Sequence, residues 1–113
     1  MAASVRAAAP RGMPVSAGSV IGVITAAETN QLATGAGRVG VVTIWGDDAG
    51  TSCVLTLYDA TSGTTLPFFR WVTADGKGVF AIQCPFYIGL RAISSGTLPT
   101  NGGITIVWEG PQA

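Results

Sequence analysis

Apolar positions recur at a period of two along most of this chain. The clearest stretch is Gly78–Ser94, GVFAIQCPFYIGLRAIS. In Val79–Cys84, Phe80, Ile82 and Cys84 share one face, and Val79, Ala81 and Gln83 point the other way. In Phe86–Ser94, Phe86, Ile88, Leu90 and Ala92 share a face from which Arg91 points away. This is the alternation of half-buried strands. Pro85 has no backbone N–H and interrupts a ladder, so the pattern predicts a corner there, where the chain turns from one sheet to another. Its neighbours are apolar, which predicts a buried corner.

The rest of the chain follows the same period. Val20–Thr25 reads as a first strand. Glu28–Gly37 is polar and Gly-rich and reads as a loop, with room for a single helical turn around Glu28–Leu32. Arg38–Trp45 is β-branched and reads as a central strand. Gly46–Thr51 is a turn, and Ser52–Asp59 alternates, with Cys53, Leu55 and Leu57 inward. A turn over Ala60–Thr65 precedes an aromatic strand, Leu66–Thr73. Asp75-Gly76, within Ala74–Gly78, is a tight-hairpin signal. After Gly78–Ser94, Ser95–Gly103 reads as a long loop and Ile104–Glu109 as the last strand. The inward set is Leu55, Leu57, Phe80, Ile82, Ile88, Leu90, Ile104 and Ile106. Seven or eight short strands with regular turn signals predict an all-β sandwich or barrel. No long amphipathic helical stretch supports a βαβ architecture.

Composition narrows this further. The 113 residues form one domain, with 48% apolar and only 11% charged residues and a formal net charge of zero. An average globular chain carries about 25% charged residues, so this one must cover itself with Thr, Ser and Gly or bury surface against copies of itself. The absence of net charge gives no reason to expect nucleic acid or an acidic membrane face as partner, and no apolar run is long enough to cross a bilayer as a helix. There is no histidine, which removes the usual general base near neutral pH and the commonest metal ligand. Cys53 and Cys84 fall on apolar strand faces and read as buried thiols. We therefore expect no enzyme, cofactor or metal.

Residues 1–18 stand apart: Ala-rich, with Arg6, Arg11, Pro10 and Pro14 and no acid. The arginines and prolines break any secretory core. An organellar transit peptide has a similar composition but is longer than this segment, and two further readings remain open, an extended arm that orders on a neighbouring subunit through Arg6 and Arg11, or a terminus without a role. The domain then runs over 19–113. Gly35–Gly40, GAGRVG, matches a dinucleotide fingerprint in letters, but a strand follows it where a helix is needed. Asp47-Asp48 reads as a solvated turn. Phe68, Phe69 and Trp71 flank Arg70, with Trp45 and Trp108 in other strands. Such residues fit core and subunit interface, and sugar stacking is the alternative.

Cys84-Pro85-Phe86, Ile88-Gly89-Leu90, Ser95-Gly96-Thr97, the final strand Ile104–Trp108, and Leu57-Tyr58-Asp59 followed by an Ala-Thr-Ser-Gly turn together give Val20–Glu109 a layout that resembles small virion proteins of tailed bacteriophages. The resemblance implies a jelly-roll-like antiparallel β-sandwich on the virion. It implies a cement or decoration protein, often trimeric, that bridges subunits of the major capsid protein, with no catalytic residues. Tail, neck or fibre components share the look, and a carbohydrate-binding attachment module is the alternative outside that class. If the arm docks on a partner, removing residues 1–18 leaves the melting temperature of the isolated protein nearly unchanged and lowers its occupancy on shells. Equal occupancy of the truncated and intact proteins, measured by co-sedimentation, would show the arm to be without a role.

Overall fold

The computed structural model describes residues 19–111. The arm expected over residues 1–18, with Arg6 and Arg11, lies outside them. The described residues form eight strands, in chain order β1 (Ser19–Ile24), β2 (Thr29–Thr34), β3 (Gly37–Trp45), β4 (Thr51–Asp59), β5 (Pro67–Val72), β6 (Gly78–Phe86), β7 (Gly89–Thr97) and β8 (Gly103–Glu109), with one 3-10 turn at Thr73–Asp75. They pack as two antiparallel four-stranded sheets, ordered β1-β8-β3-β6 and β2-β7-β4-β5.

The order follows from one long ribbon. β4 and β5 form a hairpin, and outward from it β3 pairs β6, β2 pairs β7 and β1 pairs β8. The two halves of the chain thus run antiparallel along their whole length. Wrapping this ribbon brings β8 against β3 and β7 against β4. That is the jelly roll, in which two Greek keys close a sandwich. Every connection except β4–β5 passes from one sheet to the other.

The core lies between the sheets. β4 supplies Cys53, Leu55 and Leu57, and β8 supplies Ile104, Ile106 and Trp108, as their alternation predicts. β3 supplies Val39, Val42 and Ile44. Their spacing departs from two because the ladder to β8 skips Gly40: Val39 faces Trp108 and Val41 faces Val107. A glycine inside a strand is where such an extra residue fits at least steric cost. Gly37, which opens β3, is needed for close approach, since a Cβ there would collide with the Glu109 carbonyl and the Phe86 ring. All three indole N–H groups are satisfied: Trp71 donates to the Gly76 carbonyl, Trp108 to the Pro111 carbonyl and Trp45 to Thr105 Oγ1.

Several sequence expectations are corrected. Thr29–Thr34 is a strand, where a loop with a helical turn was expected. Its polar side chains are used in place of an apolar alternation, with Gln31 bonding backbone carbonyls at 2.8–3.3 Å. The Asp75-Gly76 turn joins β5 to β6 across the sheets and makes no hairpin. β7 continues to Thr97, which shortens the loop expected over Ser95–Gly103. The corner between β6 and β7 does carry the chain between sheets, but it lies at Tyr87-Ile88, while Pro85 remains inside β6 opposite Arg38. β6 is an edge strand, where a missing N–H is tolerated. The corner is exposed, with Tyr87 at 72% and Ile88 at 49%, so Ile88 leaves the predicted inward set. Phe80 and Ile82 are half-buried against the core.

Replacing Leu90 by Ala, fully buried on β7, is expected to cost about 2–5 kcal/mol. Replacing Ile88 by Ala costs under about 1 kcal/mol, in the range of surface changes. Urea unfolding of the two variants checks the pair, and equal costs would contradict the register of β7.

Candidate contact surface

The outer face of the β1-β8-β3-β6 sheet follows from the registers. One row across the four strands reads Ile21, Val107, Val41, Ala81, and the next reads Val23, Thr105, Thr43, Val79. Trp45 continues the face along β3, its indole hydrogen-bonded to Thr105 at 2.9 Å. None of these nine positions is charged. Ile21 is 65% exposed, Val23 56% and Val79 69%. The strands bury their other face in the core, so each apolar residue pointing outward meets solvent. Charge enters beyond the rows, where Arg38 lies opposite Glu109 at one end and Lys77 donates to the Gly46 carbonyl at 2.9 Å at the other.

The outer face of the second sheet differs. Tyr58 lies beside Arg91, which pairs in register with Gln31, and Arg70 lies opposite Thr56, which faces Ile93. Arg91 donates to Gln31 Oε1 at 3.1 Å. Among the described residues, one outer β face thus carries two uncharged rows and the other carries two guanidinium groups.

Asp59 ends β4 at one end of the sandwich and is buried. Its carboxylate accepts from three successive backbone N–H groups of the β6–β7 corner: Tyr87 at 2.9 and 3.0 Å, Ile88 at 2.7 Å and Gly89 at 3.2 Å. Gly35 N–H donates to the Ile88 carbonyl at 2.8 Å from the β2–β3 turn. Burial pushes the Asp59 carboxyl pKa up, but the N–H groups of Ile88, Tyr87 and Gly89 together outweigh it and hold the pKa below the usual value. Gly89 is required here, since a Cβ would lie under 3.0 Å from the Ala33 and Ala60 carbonyl oxygens.

Asp47 and Asp48 tie two loops together. Asp48 Oδ1 accepts from Gly50 N–H at 2.8 Å and Thr100 N–H at 3.0 Å, and Asp47 Oδ2 accepts from Asn101 at 2.8 Å. The donors at Thr100 and Gly50 lower the Asp48 pKa. Among the described residues no group of three or more His, Cys, Asp or Glu is placed to hold a metal ion. Cys53 and Cys84 are free thiols, Cys53 buried and Cys84 half-buried, and burial pushes the Cys53 pKa up.

The aromatic stretch named from the sequence is split by its strand. Trp71 is 1% exposed and belongs to the core, Phe68 and Phe69 are half-buried against it, and Arg70 is exposed. Trp71 is therefore withdrawn as a surface contact. Arg6 and Arg11 lie outside the described residues. Sequence reasoning missed the uncharged face, because its members come from four strands that are neighbours only after folding. It also missed the role of Asp59, whose three donors lie about thirty residues downstream.

Comparison with known protein families, with curated proteins and with solved structures found no match.

Replacing Asp59 by Asn removes an anionic acceptor from three N–H groups, and bonds to charged groups are worth about 1.5–3 kcal/mol. At pH 7 the variant is expected to lose stability of that order. The Asp59 pKa is lowered in the folded state, so its contribution is present above the unfolded value, near 3.9, and is lost as pH falls through the folded value. The gap between native protein and variant should therefore close below about pH 4. A gap in urea midpoints that stays constant from pH 7 to pH 2 would contradict the assignment.

Proposed function

We propose that this protein is a non-enzymatic structural component of a tailed-phage particle that bridges capsid subunits from outside. The observation that carries the reading is the pair of uncharged rows on the outer face of the β1-β8-β3-β6 sheet. A chain with 11% charged residues that keeps them out of two successive rows of a four-strand face is suited to burying those rows against protein. The eight-strand jelly roll adds support, since viral capsid proteins and lectins both use it, although a fold alone does not assign a function.

The magnitudes say what else the contact needs. A face of four strands and two residue rows covers roughly 260 Å² in projection. A stable interface buries about 800 Å² on each partner. The sheet face therefore needs a second element, and the N-terminal arm is the one the sequence offers. The sugar-stacking alternative loses Trp71 and Trp108, which are in the core, and keeps Trp45, which is 40% exposed.

Val79→Lys places a charge on this face at a position 69% exposed, where folding should be little affected. Co-sedimentation with shells of a matching phage is expected to fall at least about tenfold in affinity, the effect of roughly 1.4 kcal/mol, with an unchanged melting temperature. Undiminished shell binding by the variant, or glycan binding by the native protein without shell binding, would overturn the reading.

A further inference from the structure

The four edge strands of the sandwich are β1 and β6 in one sheet and β2 and β5 in the other. An edge exposes unpaired backbone groups, and natural sandwiches block such edges with bulges, prolines or charges. Three of these edges are blocked. β2 carries an extra residue at Leu32 between Gln31 and Ala33. β5 carries one at Phe68, with Pro67 beside it and Arg70 in the strand. β6 holds Pro85 and an irregularity at Ile82-Gln83 opposite Gly40, with Gln83 in the left-handed region at φ 52°. Arg38 fastens that irregularity by donating to the Gln83 carbonyl at 3.0 Å.

β1 has none of these devices. Its six residues pair with β8 in unbroken register, and the strand contains no proline and no charge. Among the described residues β8 is its only neighbour in the sheet. The sequence Val20-Ile21-Gly22-Val23-Ile24 also reads nearly the same in both directions. Laid antiparallel on a copy of itself about Gly22, it sets Val20 against Ile24 and Ile21 against Val23, so four β-branched pairs flank a central Gly22–Gly22 pair. With no charge on the strand, the copies do not repel each other.

We infer that Val20–Ile24 of β1 is a self-association edge, pairing antiparallel with β1 of a second copy across a two-fold axis. The alternation of backbone groups along a strand forbids a one-residue slip. Ile21 and Val23 of both copies therefore stay on the common outer side. The two β1-β8-β3-β6 sheets join into one of eight strands, and their uncharged faces become continuous. An isologous seam closes on two copies, whereas the trimer implied by the resemblance needs a head-to-tail contact. The inference does not rest on the shell reading and stands whichever partner the outer face takes.

Sedimentation velocity of the full chain across micromolar concentrations is expected to show a monomer–dimer equilibrium. The double variant Ile21→Lys, Val23→Lys sets like charges opposite each other at the seam and should weaken the dimer at least about tenfold. Both positions are exposed, so its circular dichroism spectrum and melting temperature, taken at a concentration where both proteins are monomeric, should match those of the native chain. Val79→Lys, on the same outer face but on the far edge strand β6, should leave the dimer intact. In hydrogen exchange, amides of Val20–Ile24 should gain protection with protein concentration. A monomer or a trimer at all concentrations, a dimer indifferent to the β1 lysines, or a dimer lost in Val79→Lys would each overturn the inference. The last would place association on the sheet face. Should the double variant unfold, the concentration dependence of exchange in the native chain decides alone, and unchanged protection of Val20–Ile24 counts against the seam.

Discussion

A jelly roll passes its chain from sheet to sheet at almost every connection, and each passage leaves backbone N–H groups without a ladder partner. The β6–β7 corner solves this with one side chain. Asp59, at the end of β4, accepts from three consecutive N–H groups of Tyr87, Ile88 and Gly89. A buried unpaired N–H is costly, and a buried carboxylate without donors is more so. Here each satisfies the other. Because β4 lies in one sheet and β6 in the other, the same contact fixes where the second sheet begins relative to the first. The Gly35 N–H bond to Ile88 adds the β2–β3 turn, so three connections meet at one end of the molecule.

Away from that corner, order rests on the ribbon. Pairing β1 with β8, β2 with β7, β3 with β6 and β4 with β5 uses contacts between distant parts of the chain, apart from the single hairpin. The irregularities fall where the ribbon must bend or end. Those on β2, β5 and β6 lie on edges, where they also discourage further pairing. The Gly40 position in β3 resets the alternation, so that Val42 and Ile44 face the core together with Val39.

The distribution of charge sets the two outer faces apart. Arg70 and Arg91 lie on the β2-β7-β4-β5 side, and Arg91 is engaged with Gln31. The opposite side presents valine, isoleucine, threonine and alanine in register. This asymmetry is a property of the fold, because neighbouring residues on that face come from sequence positions as far apart as Ile21, Val41, Ala81 and Val107.

The local pattern determined a good deal by itself. The period-two alternation of Ser52–Asp59 and Ile104–Glu109 identified β4 and β8 and their inward faces, because a half-buried strand must alternate. The turn residues over Ala60–Thr65 marked a turn, which the structure makes the β4–β5 hairpin, while the tight-hairpin signal of Asp75-Gly76 fell on a link between sheets. Tertiary structure decided what depends on partners far along the chain. Thr29–Thr34 has no apolar alternation to announce a strand, and it is one because Gln31 bonds carbonyls of Ala33, Ala60 and Leu90 and the segment completes the β7 edge. The corner moved from Pro85 to Tyr87-Ile88 because an edge strand tolerates a missing N–H, while the chain turns where Asp59 can collect three donors. Trp71 went inward because its register partner, Leu55, points there. The uncharged rows and the β1 edge exist only once strands distant in sequence lie side by side, since a face or an edge belongs to the sheet and not to any one strand.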